Sequence, residues 1–451
     1  MQPEDLLVHE LRQSLAEGKR VDEVADRWRR AGGAAAPPVG GGSDRAAPPS
    51  LRALAAALHA QLDALPGDPE VLAAEPDVLD EIAQQADPVR SVGPLPSSAE
   101  LFDRVHGAWV GRAAGCLLGK PVEKIPRAGI QEILQAGGRW PLAGYFSAVG
   151  LPADVAGRWP WNRRSATTSL AENIDGMPED DDLNFALLAL QLLEEHGPDF
   201  HTGDVADAWL AGLPAGRVFT AERVAYRNLL NGLQPPATAL VGNPFREWIG
   251  AQIRADVHGW AHPGRPWDAA RSAWRDARLS HRGNGLYGAM AVAAMCSAAL
   301  VLDDVHEVLA VGRSVVPSRS RYAEAFDRGV ALGRADIAQA DALDALHAQF
   351  GHLHWVHVLN NAALVAYSLA SSRGELGRAI CTAVTGGWDT DSDAATVGSV
   401  CGALTGETAL PHEWTAPLRG RLASSLPGFD GTGFDALARR TVSLSAAVVS
   451  A

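Results

Sequence analysis

The sequence predicts an all-α protein, because helical periodicity recurs along the chain while strand patterns are scarce. Apolar residues repeat at spacings of three and four, between loops rich in Gly and Pro. Strict alternation of apolar and polar residues, which indicates strands, is rare, and so are β-branched blocks. The composition is 47% hydrophobic and 20% charged, as in a globular protein with a sizeable core. We therefore expect one large helical domain after a helical extension.

We predict that residues 1–98 form the helical extension. Segments 4–30 and 51–90 carry Leu and Ala at helical spacing with charges between them. Between these segments, 32–50 reads GGAAAPPVGGGSDRAAPPS, a low-complexity stretch that predicts a flexible, partly extended linker. A second break, DPVRSVGPLPSS at 87–98, ends the extension.

The predicted domain covers residues 99–451 and opens with LFDRVHGAWVGRAAGCLLGK, whose small residues allow close packing against another helix. The run from Leu286 to Leu302 is uncharged for 17 residues, short of the ~20 that a membrane span needs, so we expect a buried helix. Further helical runs are expected at 183–196, 204–212, 221–231, 268–280, 286–302, 354–372, 375–385 and 394–406.

The charge balance argues against a nucleic-acid partner and suits a protein that holds cations. Acids outnumber bases by 53 to 39, for a formal charge of −14, whereas phosphate neutralisation needs a basic face.

The charged N-terminus, MQPEDLLVHELRQ, does not resemble a secretory signal. The four cysteines lie far apart without a CxxC pair, which predicts reduced core residues. We expect a cytoplasmic protein without a membrane partner.

Two acidic clusters each follow a loop with Pro or Gly and precede an apolar helix. They are Glu179–Asp182, reading EDDD, and GGWDTDSD at 386–393. One or two acids are explained by N-capping, worth about 0.3–1 kcal/mol each. Crowded carboxylates repel one another, and a divalent cation removes that repulsion. Oxygen ligands from Asp and Ser favour Mg²⁺, Mn²⁺ or Ca²⁺ over zinc, so the two clusters together predict a metal site.

Two better-known motifs are excluded by their context. An EF-hand counted from Asp389 needs Gly at position six and Glu at position twelve, where the sequence has Ala394 and Val400. The GxGxxG at 283–288 follows a charged, helix-like segment instead of a buried strand, so a dinucleotide site is not predicted.

Three segments, in order, resemble the ADP-ribosylglycohydrolase family. RVHGAWVGRAAGCLLGKPVE at 104–123 is similar to the family's Gly-rich opening helix, and EDDDLNFALLAL at 179–190 resembles its T-D-D-T segment. GGWDTDSDAATVGSVCGALTG at 386–406 is similar to its G-x-D-T-D-[ST] stretch, and SHRGNG at 280–285 to a central Ser-His segment. The resemblance implies a compact orthogonal multi-helix domain that holds two Mg²⁺ ions, with Mn²⁺ as an alternative.

The resemblance also implies roles for individual residues. The first acidic segment would supply the metal ligands Asp180, Asp181 and Asp182, and the second would supply Asp389, Asp391 and Ser392. Glu123 and Asp182 are the candidates for general base. Asp393, where the match ends, is expected to be a carboxylate in the helix turn that only tunes the local field. The chain departs from the family pattern at Asp180 and Leu183, where the family has Thr, and at Cys116, where it has Asp.

Substrate contacts are expected from His281, Asn284 and Gly285 in the central loop, and from Asn360 and Asn361 on a later helix. Trp159, Trp161 and Trp388 are candidates for stacking on a ring, with core packing as the alternative.

The implied activity is Mg²⁺-dependent hydrolysis of a glycosidic bond, releasing ADP-ribose from a protein side chain. One alternative keeps the fold and the metals but acts on a small N-ribosylated metabolite. Another is a protein that binds ADP-ribose without cleaving it.

Overall fold

A computed structural model describes residues 2–37, 42–43, 45–88, 92–162 and 165–449. Within them, helices follow one another with short loops between: α1 (Pro3–Ala16), α2 (Asp22–Arg30), α3 (Pro49–Ala64), α4 (Pro69–Ala74), α5 (Leu79–Gln85), α6 (Ser98–Gly119), α7 (Arg127–Ala136), α8 (Ala153–Arg158), α9 (Asp181–His196), α10 (Thr202–Gly212), α11 (Thr220–Leu230), α12 (Ala237–Leu240), α13 (Asp256–Trp260), α14 (Pro266–Ala277), α15 (Asn284–Ala299), α16 (Val305–Ser314), α17 (Arg321–Arg334), α18 (Gln339–Phe350), α19 (Val358–Ser372), α20 (Leu376–Gly386), α21 (Thr390–Thr405), α22 (His412–Thr415) and α23 (Phe434–Val449).

The described residues contain no β-strand, and β-pairing is limited to isolated bridges such as the one between Trp248 and His357. The predicted all-α class is therefore confirmed. No helix in the described part of the chain is long and apolar enough to cross a membrane. All four cysteines are buried and free, as the sequence predicted.

The centre of the domain is the antiparallel pair α6 and α21, which touch along a seam of small residues. Gly107 faces Gly402, Gly111 faces Gly398, and Gly115 faces Ala394. At each of these three glycines of α6, an added Cβ would overlap a backbone carbonyl oxygen of α21. The spacing of four residues keeps the seam on one face of each helix, so the two backbones meet directly.

A methyl group in this seam is expected to destabilise the fold. Gly111→Ala should lower the free energy of unfolding by about 1–3 kcal/mol through overpacking, although Ala is the better helix former. The matched control is Gly203→Ala in α10, where an added Cβ meets nothing within 4 Å. Denaturant unfolding checks both variants. A Gly111→Ala protein as stable as the control would contradict direct backbone packing at the seam.

Two almost fully buried helices complete the core around this pair. Every residue of α15 is buried, and α9 buries most of its length, beginning at Asp182. Because α9 begins at the first acidic cluster and α21 at the second, packing these helices against α6 fixes the positions of both clusters.

The N-terminal helices form a small body with its own apolar cluster. Leu7, Val24, Trp28 and Leu58 are among the buried residues that belong to this cluster and not to the large core. Polar contacts attach the body to the domain. The Arg246 guanidinium donates to Glu10 at 2.7 Å and to Glu17 at 2.7 Å, and all three side chains are buried.

Several boundaries differ from those that periodicity predicted. The segment 4–30 is two helices, because Gly18 takes a φ of 72° and ends the first of them. The segment 51–90 is divided among α3, α4 and α5, and α17 and α18 were not predicted. Of the predicted flexible linker, residues 38–41 and 44 lie outside the described residues, as do 89–91 of the second break.

Candidate metal centre and active site

The seam between α6 and α21 brings the two acidic clusters together. Gly119 at the end of α6 lies against Thr390 at the start of α21, and the Thr390 hydroxyl donates to the Gly119 carbonyl oxygen at 2.9 Å. The segment after α6 leads to Glu123, and the residues around the start of α21 are Asp389, Asp391 and Ser392. An antiparallel pair in this register therefore places Glu123 near a cluster more than two hundred residues later in the chain.

Arg112 of α6 fixes the start of α9 to the same place. Its guanidinium donates to the Asp182 carbonyl oxygen at 2.8 Å, to the Asp182 carboxylate at 3.2 Å, and to the Asp256 carboxylate at 2.8 Å. The other carboxylate oxygen of Asp182 accepts from the Ser392 hydroxyl at 3.2 Å. Asp182 thus links α9 with both α6 and α21. We call the group formed by Glu123, Asp180, Asp181, Asp182, Asp389, Asp391 and Ser392 the acidic centre.

Lys120 lies inside this group, a position that no sequence pattern predicted. Its ammonium group donates to the Asp180 carboxylate, and the Lys120 side chain is only 9% exposed. Asp180 also caps α9 by accepting from the Asp182 backbone N–H at 2.9 Å. The Cys116 thiol comes close enough for the ligand atoms of Cys116, Asp180 and Asp182 to lie within 4.8 Å of one another. The capping interpretation thus holds for Asp180 but accounts for one carboxylate only.

The second cluster is held in place by a turn with left-handed backbone. Trp388 has a φ of 63°, a region that non-glycine residues seldom adopt, and such strain is concentrated at functional sites. The Trp388 ring stacks on His347 with centroids 4.3 Å apart. The Asp389 backbone N–H donates to the Asn361 side-chain oxygen at 3.3 Å, while the Asp389 side chain makes no capping bond to α21. Its carboxylate is therefore not used as a helix cap.

Glu123 lies at the more open side of the centre. It is partly exposed and accepts hydrogen bonds from Asn162 at 2.6 Å and from Lys124 at 2.9 Å. Its negative charge raises the pKa of Asp181, Asp389 and Asp391, which places Glu123 within electrostatic range of both clusters. Asn162 is a further neighbour that the sequence did not indicate.

Burial and mutual repulsion shift the pKa values across the acidic centre. Burial raises the pKa of Asp391 to about 7, with further contributions from Glu123 and Asp180. Burial also raises the pKa of Asp181 and Asp389 well above the usual range, and the neighbouring Asp391 adds to both shifts. At Asp180 burial acts in the same direction, but the Lys120 ammonium outweighs it and holds the pKa below its usual range.

These residues fit divalent metal ions. Counted with Asp256, which shares the Arg112 guanidinium, seven carboxylates face three cationic side chains, Arg112, Lys120 and Lys124, so carboxylates outnumber cations at the centre. The raised pKa values of Asp181, Asp389 and Asp391 favour the protonated carboxyl groups unless a cation takes the place of the protons. The donors are carboxylate and hydroxyl oxygens, which suit Mg²⁺ or Mn²⁺. Asp181, Asp389, Asp391 and Ser392 are the donors least committed to protein cations.

Asp393 differs from its neighbours because it is fully buried and neither carboxylate oxygen has a hydrogen-bond partner among the described residues. Burial raises its pKa well above the usual range, and the Asp391 charge adds to this shift. A neutral carboxyl group is the form that such a site favours. Its role in tuning the field remains a prediction.

The candidates for substrate contact in the central loop have protein partners of their own. His281 is buried, and its Nδ1 lies 2.8 Å from the Ser280 hydroxyl. The Asn284 amide donates to Glu75 at 2.8 Å and to Glu247 at 2.8 Å, so a residue of the extension holds it. Gly285 packs against the Arg246 backbone. Contacts of these three residues with substrate remain predictions.

Of the two asparagines on α19, Asn361 is the one that contacts the acidic centre, through Asp389. Asn360 donates to the His354 carbonyl oxygen at 3.2 Å, and its own side-chain oxygen is buried without a partner in the described part of the chain. Trp159 donates to Glu132 at 2.6 Å, and Trp161 packs on Phe146 with centroids 5.9 Å apart. The stacking role predicted for these tryptophans is likewise untested.

Comparison with known proteins decides the family. A family model described as ADP-ribosylglycohydrolase matches residues 97–448, more than half of the chain. The chain belongs to the ADP-ribosylglycohydrolase family. Among solved structures, a chain described as "ADP-ribosylglycohydrolase-related protein complex" is 22% identical, with 77% of this chain and 99% of that chain covered and a TM-score of 0.46. No curated protein matches the chain.

Membership of the ADP-ribosylglycohydrolase family confirms the resemblance drawn from the three motifs. It indicates a hydrolase of the glycohydrolase type that acts on ADP-ribosylated substrates, in a family that generally binds divalent metals. Two residues of the acidic centre, Asp180 and Asp182, belong with Cys116 to a group whose ligand atoms are close enough to hold a metal ion.

Proposed function

We propose that this chain hydrolyses the glycosidic bond between ADP-ribose and a protein side chain, with two Mg²⁺ ions, or Mn²⁺, held by the acidic centre. The observation that supports this most is the meeting of both acidic clusters and Glu123 at one end of the α6 and α21 pair. Six carboxylates and the Ser392 hydroxyl offer enough oxygen donors to be shared between two divalent cations.

The proposed ligands divide between the two clusters. Asp180, Asp181 and Asp182 would hold the ions from the start of α9, and Asp389, Asp391 and Ser392 from the start of α21. Divalent ions bound there would orient the ribose hydroxyls and acidify a water molecule. Lys120 and Arg112 then have a positioning role, because each fixes a carboxylate of the first cluster.

Glu123 is the better candidate for general base. Cleavage at the anomeric carbon develops oxocarbenium character, and the attacking water must lose a proton to a nearby carboxylate. Both carboxylate oxygens of Asp182 are already hydrogen-bonded, and the residue is 1% exposed. Glu123 is partly exposed to solvent and forms an ion pair with Lys124 at 2.9 Å. We therefore assign proton acceptance to Glu123 and a ligand role to Asp182.

The depth of the site favours a second candidate, hydrolysis of a small N-ribosylated metabolite. Asp389, Asp391 and Ser392 are each only 6% exposed, so a substrate has to reach into the centre. A free nucleotide enters such a site more easily than a group attached to a folded protein.

The experiment follows product release from both substrate classes. Peptides carrying ADP-ribosyl-arginine or ADP-ribosyl-serine, and free NAD and nucleosides, are incubated with protein treated with EDTA and then with added Mg²⁺ or Mn²⁺. We expect release of ADP-ribose from a modified peptide, abolished by EDTA and restored by the metal. Cleavage of a free nucleotide alone would support the second candidate, and tight ADP-ribose binding without cleavage of any substrate would overturn both.

Calorimetry gives a readout of metal binding that does not depend on activity. Because burial raises the pKa of Asp391 to about 7, Mg²⁺ has to displace a proton from this carboxyl group when it binds below that pH. Titrations in buffers of different ionisation enthalpy should show proton release at pH 6.5 and an affinity for Mg²⁺ that increases with pH from about 5 to 7. An affinity independent of pH would contradict binding by these carboxylates.

A further inference from the structure

A cavity of about 790 Å³ lies among the helices α7, α17, α18, α19 and α20. None of the acidic-centre residues is among the described residues that line it. Its volume is within the range of sites for small molecules, which is roughly 300–1,000 Å³. We call it the arginine groove, after the residues that distinguish it.

Four arginines from different helices line this groove: Arg127, Arg334, Arg373 and Arg378. Arg127 pairs with Asp344. In the described part of the chain, the other three form no ion pair with a carboxylate. Arg334 instead donates to His306 at 3.4 Å, and Arg378 to the Ser371 carbonyl oxygen at 3.4 Å.

The carboxylates near these arginines are mostly committed elsewhere. Asp336 is the one carboxylate on the described lining. Glu375 lies close to Arg378 in sequence, but its two oxygens accept from the backbone N–H groups of Gly377 and Arg378 at the start of α20. Arg334, Arg373 and Arg378 are exposed, so their guanidinium groups are accessible to an anion from solvent.

The groove also offers apolar and hydroxyl groups beside the charges. Trp140 is 41% exposed and Ile337 is 46% exposed, although both are large apolar side chains. Tyr367 lies on the floor, and the hydroxyls of Thr382 and Thr385 line the side formed by α20. An exposed indole next to guanidinium groups is suited to a ligand that has a flat ring as well as a negative charge.

We propose that the arginine groove binds a nucleotide-like ligand, with its phosphates on the arginines and its ring against Trp140. The planar guanidinium fork matches the geometry of phosphate oxygens, and several forks together select a diphosphate over a single charge. The groove shares no described lining residue with the acidic centre, and its ligand needs no metal and undergoes no reaction there.

The test is calorimetric binding of ADP to the full chain in EDTA, which keeps divalent metals from the acidic centre. ADP should bind, and the triple variant Arg334→Gln/Arg373→Gln/Arg378→Gln should lose at least about tenfold in affinity. The matched control, Arg29→Gln/Arg30→Gln/Arg439→Gln, removes the same charge from exposed arginines that do not line the groove, and it should retain binding. Equal losses in the two triple variants would show nonspecific attraction and overturn the proposal.

Binding of other ligands, and of ADP to a Trp140 variant, tests whether the ring of the ligand contributes to binding. Pyrophosphate and adenosine should each bind more weakly than ADP, and Trp140→Ala should weaken ADP but not pyrophosphate. Pyrophosphate binding as tight as that of ADP would overturn the role of the ring, and preference for an acidic peptide over ADP would overturn the nucleotide assignment. Asp391→Asn should leave ADP binding in EDTA unchanged, so this site can fail or succeed independently of the proposed hydrolysis.

Discussion

Glu123→Gln should lower kcat by about 10²–10⁴-fold on the cleaved substrate, because it removes the proton acceptor for the attacking water. The substitution changes little else. The amide has the shape of the carboxylate and keeps an oxygen that can accept from Asn162, which now donates at 2.6 Å. Since Glu123 lies at the open side of the acidic centre, folding and Mg²⁺ binding should be largely preserved.

A pH profile distinguishes a lost base from a displaced one. In the wild type, kcat should decrease at low pH as the base becomes protonated, and that acidic limb should disappear in Glu123→Gln. The control is Glu132→Gln, a partly exposed glutamate that accepts from Trp159 and pairs with Arg158 away from the centre. An unchanged limb in Glu123→Gln would contradict the assignment and favour Asp182 as the base.

The helices and both acidic clusters could be predicted from the sequence because their signals are local. Periodicity of apolar residues identified α9, α15 and α19, and carboxylate crowding identified the two clusters. Glycines at intervals of four on α6, and again at Gly398 and Gly402, were a further local signal. That spacing implies close packing, but it does not by itself say which glycine faces which.

The cations of the site could not be predicted, because a lone basic residue on a helix normally lies in solvent. Arg112 and Lys120 stand in the Gly-rich opening segment, and nothing local distinguishes them from surface residues. Only the tertiary structure shows that Arg112 and Lys120 donate hydrogen bonds to carboxylates of α9 and α13 and of the residue that caps α9. The same holds for the arginine groove, whose residues come from helices spread between positions 127 and 378.

The place of the N-terminal extension also depends on long-range contacts. Glu10, Glu17 and Glu75 look like solvated charges in the sequence, yet all three are buried against the domain. Glu75 pairs with Arg321 at 2.6 Å and holds Asn284, so the extension contacts the central loop directly. A carboxylate on an amphipathic helix gives no sign of which partner lies opposite it.

Arg112→Met is expected to be the most destabilising of these substitutions, at about 3–5 kcal/mol, because breaking a buried ion pair leaves an unpaired charge. Arg112 is fully buried between α6, α9 and α13, and its guanidinium serves both Asp182 and Asp256. Met fills a similar volume, so the cost arises from the two carboxylates and from the Asp182 carbonyl oxygen that lose their donors.

Denaturant unfolding measures this loss, with Arg29→Met as the control, since that exposed side chain pairs only with Asp26 and should cost less than about 1 kcal/mol. Adding Asp256→Asn to Arg112→Met should recover part of the stability, because it removes one of the stranded charges. The same variants should bind Mg²⁺ less tightly, since Arg112 holds the carboxylate of Asp182, a proposed metal ligand, by a hydrogen bond. If Arg112→Met is as stable as the wild type, the buried carboxylates are held by their other neighbours. That result would contradict the positioning role of Arg112.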